Sequence, residues 1–236
     1  MSAQRIGNEL DSNSKWLYRV GGMSALAVGV AYLIIIVLYI PAGAPPSSAE
    51  ERLVYLSGNT AVWWAILDLS VLTDFLFIPV GFSLYLALKG INKNVMLLAT
   101  CLIALFIILD LAITWTNYAT LITLSDGYAA ATNDAERAVY VTAAIYPSIV
   151  LGSRLLFVYN TLTLSVGILL TGVVMLKGIF SKSTAYLGLG TGILGIVAVI
   201  GPFFASALNA AIILASLLTT LWVIFAGYNL YKLGRQ

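Results

Sequence analysis

The sequence predicts an all-α membrane protein with six transmembrane helices, and three observations lead to this fold class. The 236 residues are 61% hydrophobic and 9% charged, whereas soluble domains are about 45–50% apolar and about 25% charged. Six long apolar runs follow one another along the chain, and most charged residues stand between them. We therefore expect one polytopic transmembrane domain that covers residues 1–236 and is surrounded by the lipid bilayer.

The six apolar runs give the predicted spans. A helix needs about 20 residues to cross the hydrocarbon core, and most of the runs reach this length. The first run is too long for the apolar core of a signal peptide, so we expect it to remain as a membrane anchor. Gly201-Pro202 ends the fifth run early. The predicted spans are about 17–40, 60–88, 95–121, 147–176, 185–200 and 208–231.

The distribution of basic residues predicts the orientation. Of the 12 Lys and Arg residues, Arg52 and Arg137 fall on one side of a six-span arrangement, and Arg154 falls inside the fourth span. The other side carries Arg5, Lys15, Arg19, Lys89, Lys93, Lys177, Lys182, Lys232 and Arg235. Because cytoplasmic loops are rich in Lys and Arg, we predict a plasma-membrane protein with both termini in the cytoplasm.

Two longer loops are external in this arrangement, and each begins with a helix-capping signature. The first loop contains Ser47-x-x-Glu50, and the second contains Asn133-x-x-Glu136. In such a box, the first side chain accepts a hydrogen bond from the backbone N–H of the fourth residue. We therefore expect a short helix on the outer surface in each loop.

The loop-plus-span units around the second and fourth spans share a weak pattern. Asp74-x4-Pro79-Val80-Gly81 aligns with Asn160-x4-Ser165-Val166-Gly167, and the two capping glutamates precede Asp68 and Arg154 by the same interval. Internal repeats of this kind occur in many transporter folds. The pattern favours two parallel repeats, with chance agreement as the alternative.

Four ionisable residues fall within the predicted spans, and each is expensive in hydrocarbon unless it is paired or hydrated. We expect Asp68, Asp110 and Arg154 to form a cluster in the outer half of the bundle, either as a working site or as an ionic lock between helices. Asp74 lies deeper, with Ser70 and Asn160 as its expected polar neighbours. It is either protonated or in contact with water in a cavity. The candidate ion- or substrate-binding residues are Asp68, Asp74, Asp110, Arg154 and Asn160.

Small residues recur along the fifth span at Gly188, Gly192 and Gly195. Glycines four residues apart allow two helix backbones to approach closely. Tight helix packing is therefore the favoured interpretation, and a path for water along this stripe is the alternative.

The last third of the chain resembles a known family. The segment from Val174 to Gly190 with the glycines that follow it, and the ending Leu221–Arg235, are similar to a prokaryotic six-helix integral membrane family known only as a domain of unknown function. The resemblance extends in length, topology and loop placement over most of the chain. The turn between the fourth and fifth spans lacks the Pro-Arg-Trp often seen in that family. The resemblance implies a fold and no activity.

The composition excludes several classes of function. The chain has no histidine and a single cysteine, Cys101, which excludes histidine-ligated haem or copper, cysteine clusters and hydrolases with an imidazole base. We expect no cofactor, no bound metal and no catalytic residue. The small net charge of +2 predicts no nucleic-acid partner, since such a partner requires a concentrated basic face.

Two functional classes remain for the chain, and an enzyme is less favoured than either. The first is a small-solute or proton- or cation-coupled transporter or channel that uses the buried charges. The second is a non-catalytic membrane scaffold or accessory subunit. A homo-oligomer or a partner membrane subunit is expected in either case, because the chain is short for a transporter.

Overall fold

The computed structural model describes residues 15–43 and 45–236, and every regular element in them is helical. The helices are α1 (Lys15–Tyr39), α2 (Ala49–Ser57), α3 (Thr60–Leu109), α4 (Thr116–Ala130), α5 (Asp134–Leu151), α6 (Arg154–Phe157), α7 (Thr163–Met175), α8 (Lys182–Ile200) and α9 (Ala211–Leu233). Two π-helical segments, Asp110–Trp115 and Val158–Leu162, join α3 to α4 and α6 to α7. The 3₁₀ turns Gly201–Phe203 and Ser206–Ala210 connect α8 to α9.

Five helical stretches in the described residues are long and apolar enough to cross a membrane: Lys15–Tyr39, Thr60–Ala130, Arg154–Met175, Lys182–Phe203 and Ser206–Leu233. An all-helical chain with several such stretches agrees with the fold class predicted from the sequence. Arg5, which entered the count of basic residues, lies outside the described part of the chain.

The stretch Thr60–Ala130 has 71 residues, and it reverses direction at Asn92. Asn92 has φ −154° and ψ 92°, values outside the helical region. The Phe77 and Phe106 rings, which would be about 44 Å apart in a straight helix, have centroids 6.5 Å apart. Residues 60–91 and 93–130 therefore form two antiparallel legs, which we call the first and second leg. The reversal falls in the predicted turn 89–94.

The long helices pack side by side in a closed ring. The first leg packs against α1, the second leg against α7, α7 against α8, α8 against α9, and α9 against α1. The first and last of these helices meet, because the Arg19 Nε donates a 2.6 Å hydrogen bond to the Gly234 carbonyl oxygen. The start of α1 and the end of α9 thus lie at the same end of the ring.

Helices α2 and α5 lie at the opposite end of the ring, where they pack against each other and against α4. Each starts at a side-chain cap. In α5 the cap is Asn133, which accepts a hydrogen bond from the Glu136 backbone N–H as predicted. In α2 the cap is Ser48, bonded by the Glu51 backbone N–H, so the predicted cap Ser47 was wrong by one residue.

The fourth predicted span begins later than its apolar run indicates. Helix α5 continues to Leu151 with Pro147 inside it, and a break at Gly152 and Ser153 precedes the next helix. The Ser153 hydroxyl accepts a 3.2 Å hydrogen bond from the Leu156 backbone N–H and so caps this new helix. The predicted start at residue 147 was therefore wrong, and Arg154 is the first residue of the helix that follows.

Glycines produce the closest contacts in the ring. A Cβ atom at Gly172 would lie 2.9 Å from the Leu189 backbone nitrogen, and one at Gly192 would lie 2.8 Å from the Ser165 carbonyl oxygen. Gly188 and Gly195 are equally crowded, against Gly172 and Trp222 and against Ser165. The predicted close packing along the fifth span is confirmed.

Two apolar clusters fill the interior. The larger joins the long helices of the ring and includes Phe77 and Ile107. The smaller lies under α2 and α5 and includes Leu67 and Leu121. On both legs of the hairpin, the buried residues between these two clusters are polar. This polar layer contains Asp74 and Asp110, with Ser70, Thr73 and Thr114.

Candidate functional site

The polar layer is formed by the middle of each leg and by the π-helical start of the α7 region. Asp74 is 2% exposed and Asp110 is 5% exposed. The sequence therefore identified two acidic residues that the fold places in its interior. Their partners differ from those we expected.

Asp74 of the first leg is held by Trp115 of the second leg. The indole Nε1–H donates a 2.7 Å hydrogen bond to Asp74 Oδ2. The expected partner Ser70 instead donates a 2.7 Å hydrogen bond to the Ile66 carbonyl oxygen of its own helix. Tyr32 of α1 also reaches the layer, where its hydroxyl contacts Thr73 and lies near both aspartates.

Asp110 of the second leg is held by Asn160. The Asn160 Nδ2 group donates hydrogen bonds of 2.6 Å to Asp110 Oδ1 and 2.7 Å to Thr114 Oγ1. Asn160 was expected beside Asp74, and the structure pairs it with the other carboxylate. Its Oδ1 atom is buried and accepts no hydrogen bond from the described residues.

Both partners of this pair lie in π-helical segments. Asp110 is the first residue of the segment Asp110–Trp115, and Asn160 is the middle residue of the segment Val158–Leu162. A π-helical segment shifts the register of a helix, and such segments are frequent at functional sites. Here the two segments face each other and carry four of the polar side chains of the layer: Asp110, Thr114, Trp115 and Asn160.

The two carboxyl groups lie near enough to each other to interact electrostatically. None of the Lys or Arg side chains in residues 15–43 and 45–236 pairs with either of them. In that part of the chain, the carboxyl group of Asp74 is hydrogen-bonded by Trp115, and that of Asp110 by Asn160 and Thr114. The layer is thus rich in oxygen acceptors, and the described residues supply no cation to it.

Arg154 does not join this layer, and the predicted cluster of Asp68, Asp110 and Arg154 was wrong. Arg154 is exposed, and its guanidinium lies 5.0 Å from the centroid of the Phe203 ring. The helix break at Gly152 and Ser153 explains the error, because it places Arg154 at the start of a helix and not two turns inside one.

Asp68 is also exposed and forms no polar contact in the described part of the chain. It precedes Asp74 by six residues, which turns its side chain by roughly 240° around the helix. Since Asp74 points into the interior, Asp68 points to another face of the first leg. Asp68 is therefore not part of the buried site.

Trp115 and Tyr32 were not identified from the sequence. The signal for Trp115 was its position inside the third span, since tryptophans of membrane proteins are concentrated at the interfaces and a buried indole N–H usually finds an acceptor. Tyr32 had no such signal, because every apolar run of this chain contains at least one tyrosine.

Two of the cavities that open at the surface, one beside Arg52 and one beside Arg154, are lined by neither Asp74 nor Asp110. A cavity of about 650 Å³ lies between the α2 region and α5 and is lined by Arg52 and Ser148 among others. A second cavity, of about 540 Å³, lies beside Arg154 and Phe203. In the part of the chain that the structure describes, no group of three or more His, Cys, Asp or Glu residues is arranged to hold a metal ion.

Comparisons of the chain with protein-family models, with curated proteins and with solved structures found no match.

Proposed function

We propose that this chain is a transporter or channel of the plasma membrane that couples the passage of a small solute to proton or cation binding at Asp74 and Asp110. The observation that carries the proposal is the pair of carboxyl groups buried in an apolar helical ring without a cationic partner among the described residues. Membership of the prokaryotic six-helix family of unknown function stays a prediction.

The chemistry of the pair supports binding of a positive species. A buried carboxylate that lacks a cationic partner requires a proton or a cation nearby, because an isolated charge is very unfavourable in an apolar interior. Two interacting carboxyl groups strengthen this requirement, since each negative charge disfavours the other. The buried Asn160 Oδ1, which accepts no hydrogen bond in the described chain, provides a further oxygen acceptor for such a species.

Six membrane crossings are part of the proposal. The two antiparallel legs of residues 60–130 count as two crossings, and the remaining four long stretches count as one each. An even number is supported by the contact between Arg19 and Gly234, which places the start of α1 and the end of α9 at the same end of the ring. The excess of Lys and Arg at that end supports its cytoplasmic location, with α2 and α5 outside.

The exposed Asp68 supports association with another subunit. A charged side chain that faces hydrocarbon is unfavourable, and Asp68 has no partner within the described chain. A second copy of this chain or a partner membrane subunit would supply a polar or cationic contact at that face.

Proton flux in reconstituted vesicles tests the role of the aspartates. Vesicles that contain the purified protein and a trapped pH-sensitive dye are mixed with Na⁺, K⁺ and a panel of amino acids and sugars. The wild type is expected to show flux above that of empty vesicles with at least one of these. Asp74→Asn is nearly isosteric and retains an oxygen for the Trp115 indole, and it is expected to abolish the flux while leaving the fold intact.

Asp126→Asn is the matched control, because Asp126 is an exposed aspartate in α4 outside the polar layer. It is expected to retain the wild-type flux. Flux that persists unchanged in Asp74→Asn removes this residue from the mechanism. A wild type that behaves as empty vesicles across the whole panel favours the second candidate function.

That second candidate is a non-catalytic membrane scaffold or accessory subunit. The observation in its favour is that protein side chains already donate hydrogen bonds to both carboxyl groups, Trp115 to Asp74 and Asn160 to Asp110. A hydrogen-bonded layer of this kind can have a purely structural role, which is to fix the register of the helices that supply it. For a scaffold, Asp74→Asn is expected to be silent or mildly stabilising, because it removes the need to bury an acid.

A further inference from the structure

Arg52 is a buried arginine at the end of the ring that carries α2 and α5. Its side chain is 9% exposed. Its Nε and Nη2 atoms donate hydrogen bonds of 3.2 Å and 2.9 Å to the Pro46 carbonyl oxygen, and its Nη1 atom donates one of 3.1 Å to the Ser148 carbonyl oxygen. These contacts fix the guanidinium in place and leave some of its N–H donors unused.

The charge of Arg52 is not balanced within the described residues. Its three hydrogen bonds go to neutral carbonyl oxygens, and no described carboxylate forms an ion pair with it. A buried charge that lacks a partner of opposite sign is strongly unfavourable. The protein nevertheless holds this cation in a fixed orientation beside a cavity of about 650 Å³.

Ser148 supplies a second polar group to the same cavity. Its side chain is 6% exposed, and its hydroxyl oxygen is buried without a hydrogen-bond partner in the described chain. Buried hydroxyl groups are nearly always hydrogen-bonded. Arg52 and Ser148 both line this cavity, so their unused N–H and O–H groups are donors available to one acceptor that binds there.

We propose that this cavity binds the phosphate group of an anion, either free phosphate or the headgroup of an anionic lipid. A guanidinium fork matches the spacing of phosphate oxygens and is weakly hydrated, which makes arginine well suited to phosphate recognition. Arg52 neutralises the anion, and the Ser148 hydroxyl donates a hydrogen bond to one of its oxygens. Ile145 and Ile149, which also line the cavity, provide apolar contact for the chains of a lipid.

Thermal unfolding of the purified protein in a neutral detergent tests the proposal. The unfolding midpoint is measured against added sodium phosphate, with sodium chloride at matched ionic strength as the reference. A second series uses mixed micelles that contain a short-chain phosphatidylglycerol, with the corresponding phosphatidylcholine as the reference. A saturable rise of the midpoint is expected, since a ligand that binds only the folded state stabilises it.

The two series identify the source of the phosphate. A rise with sodium phosphate alone assigns the site to a free anion, and a rise only with phosphatidylglycerol assigns it to a lipid headgroup. The absence of a rise in both series, relative to their references, overturns the proposal.

Ser148→Ala is the decisive variant, because the hydroxyl that it removes forms no hydrogen bond in the described protein, so its loss is expected to leave the fold unchanged. Binding is expected to weaken by roughly tenfold, the effect of losing one hydrogen bond to a charged group. Arg52→Gln is expected to abolish binding, and the Ser148 variant decides alone if Arg52→Gln does not fold.

Ser57→Ala serves as the matched control. Ser57 lies in α2, outside the cavity lining, and its hydroxyl donates a hydrogen bond to the Val54 carbonyl oxygen of the same helix. It is expected to bind as the wild type does. If Ser148→Ala binds phosphate as tightly as the wild type does, the proposed site is contradicted.

Discussion

At the scale of single residues, the hydrogen bond between Trp115 and Asp74 determines what the polar layer can do. The indole is a donor only, so it stabilises the carboxyl oxygen without supplying a positive charge. Asn160 acts in the same way on Asp110. Neutral donors leave the charge of each carboxyl group uncompensated, whereas a lysine or arginine in the same place would have compensated it permanently. Under the proposed function, this choice of partners leaves the carboxyl groups able to bind a proton or a cation.

The start of α5 provides a pH-dependent contact outside the membrane-spanning stretches. The Thr132 backbone N–H and hydroxyl donate hydrogen bonds of 2.9 Å and 3.2 Å to Glu136 Oε2. These bonds hold the pKa of Glu136 below its usual value of 4.5. Because the folded pKa is the lower one, this stabilisation is fully present above the unfolded pKa and is lost as the pH falls through the folded pKa.

An NMR titration of the Glu136 carboxyl carbon checks this sign. The midpoint is expected below 4.5, the ordinary value of a glutamate. Thr132→Val removes the hydroxyl donor and keeps the backbone donor, so it is expected to move the midpoint part of the way back. A midpoint at or above the ordinary value, or one that Thr132→Val does not move, would show that these bonds do not form in solution.

The residues of the site show how far sequence reasoning reaches. Asp74, Asp110 and Asn160 were selected because polar side chains are expensive in a membrane span, and all three lie in or beside the polar layer. Asp68 and Arg154 were selected by the same rule and are exposed. The rule identifies costly residues but not the direction in which they point, and direction depends on helix start and register. The break at Gly152 and Ser153 changed both for Arg154.

At the scale of helices, glycines set the distances within the ring. Helices α1 and α9 touch at Gly22, where a Cβ atom would lie 2.5 Å from the backbone nitrogen of Tyr231. Backbone atoms cannot rotate away as a side chain can, so an added methyl group must separate the two helices. The hydrogen bond between Arg19 and Gly234 joins the same two helices, at the start of α1 and the end of α9.

Gly22→Ala is therefore expected to destabilise the protein by about 1–3 kcal/mol, the usual range for overpacking. Gly90 is the matched control, since it is a helical glycine at which an added Cβ atom would have no neighbouring atom within 4 Å. Gly90→Ala is expected to be neutral or to stabilise by roughly 0.5–1 kcal/mol. Unfolding midpoints in detergent measure both variants, and equal midpoints for the two would contradict the packing of α1 on α9.

Helix boundaries were predicted well where the chain carries a strong local signal. The turn between the two legs follows from Lys89, Lys93 and the asparagines around them, and the cap Asn133 follows from its capping box. The π-helical segments left no such signal, because their residues, such as Val158–Leu162, are ordinary for an apolar helix. Their register is decided by the contacts between helices.

At the scale of the whole molecule, the hairpin of residues 60–130 determines how the ring of long helices closes. A single straight helix over Thr60–Ala130 would be about 105 Å long, more than three times the hydrocarbon core of about 30 Å. The reversal at Asn92 removes this conflict and returns the second leg to the end at which α2 and α5 lie. The other four long stretches, which include α1 and α9, then alternate in direction, and the ring closes with the end of α9 beside the start of α1.

Labelling of single cysteines in intact cells tests this arrangement in a Cys101→Ser background. A membrane-impermeant maleimide is expected to label Glu51→Cys and Asp134→Cys from outside, because both positions are exposed in the first turns of α2 and α5. Asn92→Cys and a cysteine added after Gln236 are expected to react only after the cells are permeabilised. Six crossings require that these two positions behave alike, since both lie at the end of the ring that carries Arg19 and Gly234. External labelling of the added C-terminal cysteine would overturn the orientation. External labelling of Asn92→Cys with an internal C-terminus would instead overturn the two-leg hairpin as a pair of crossings.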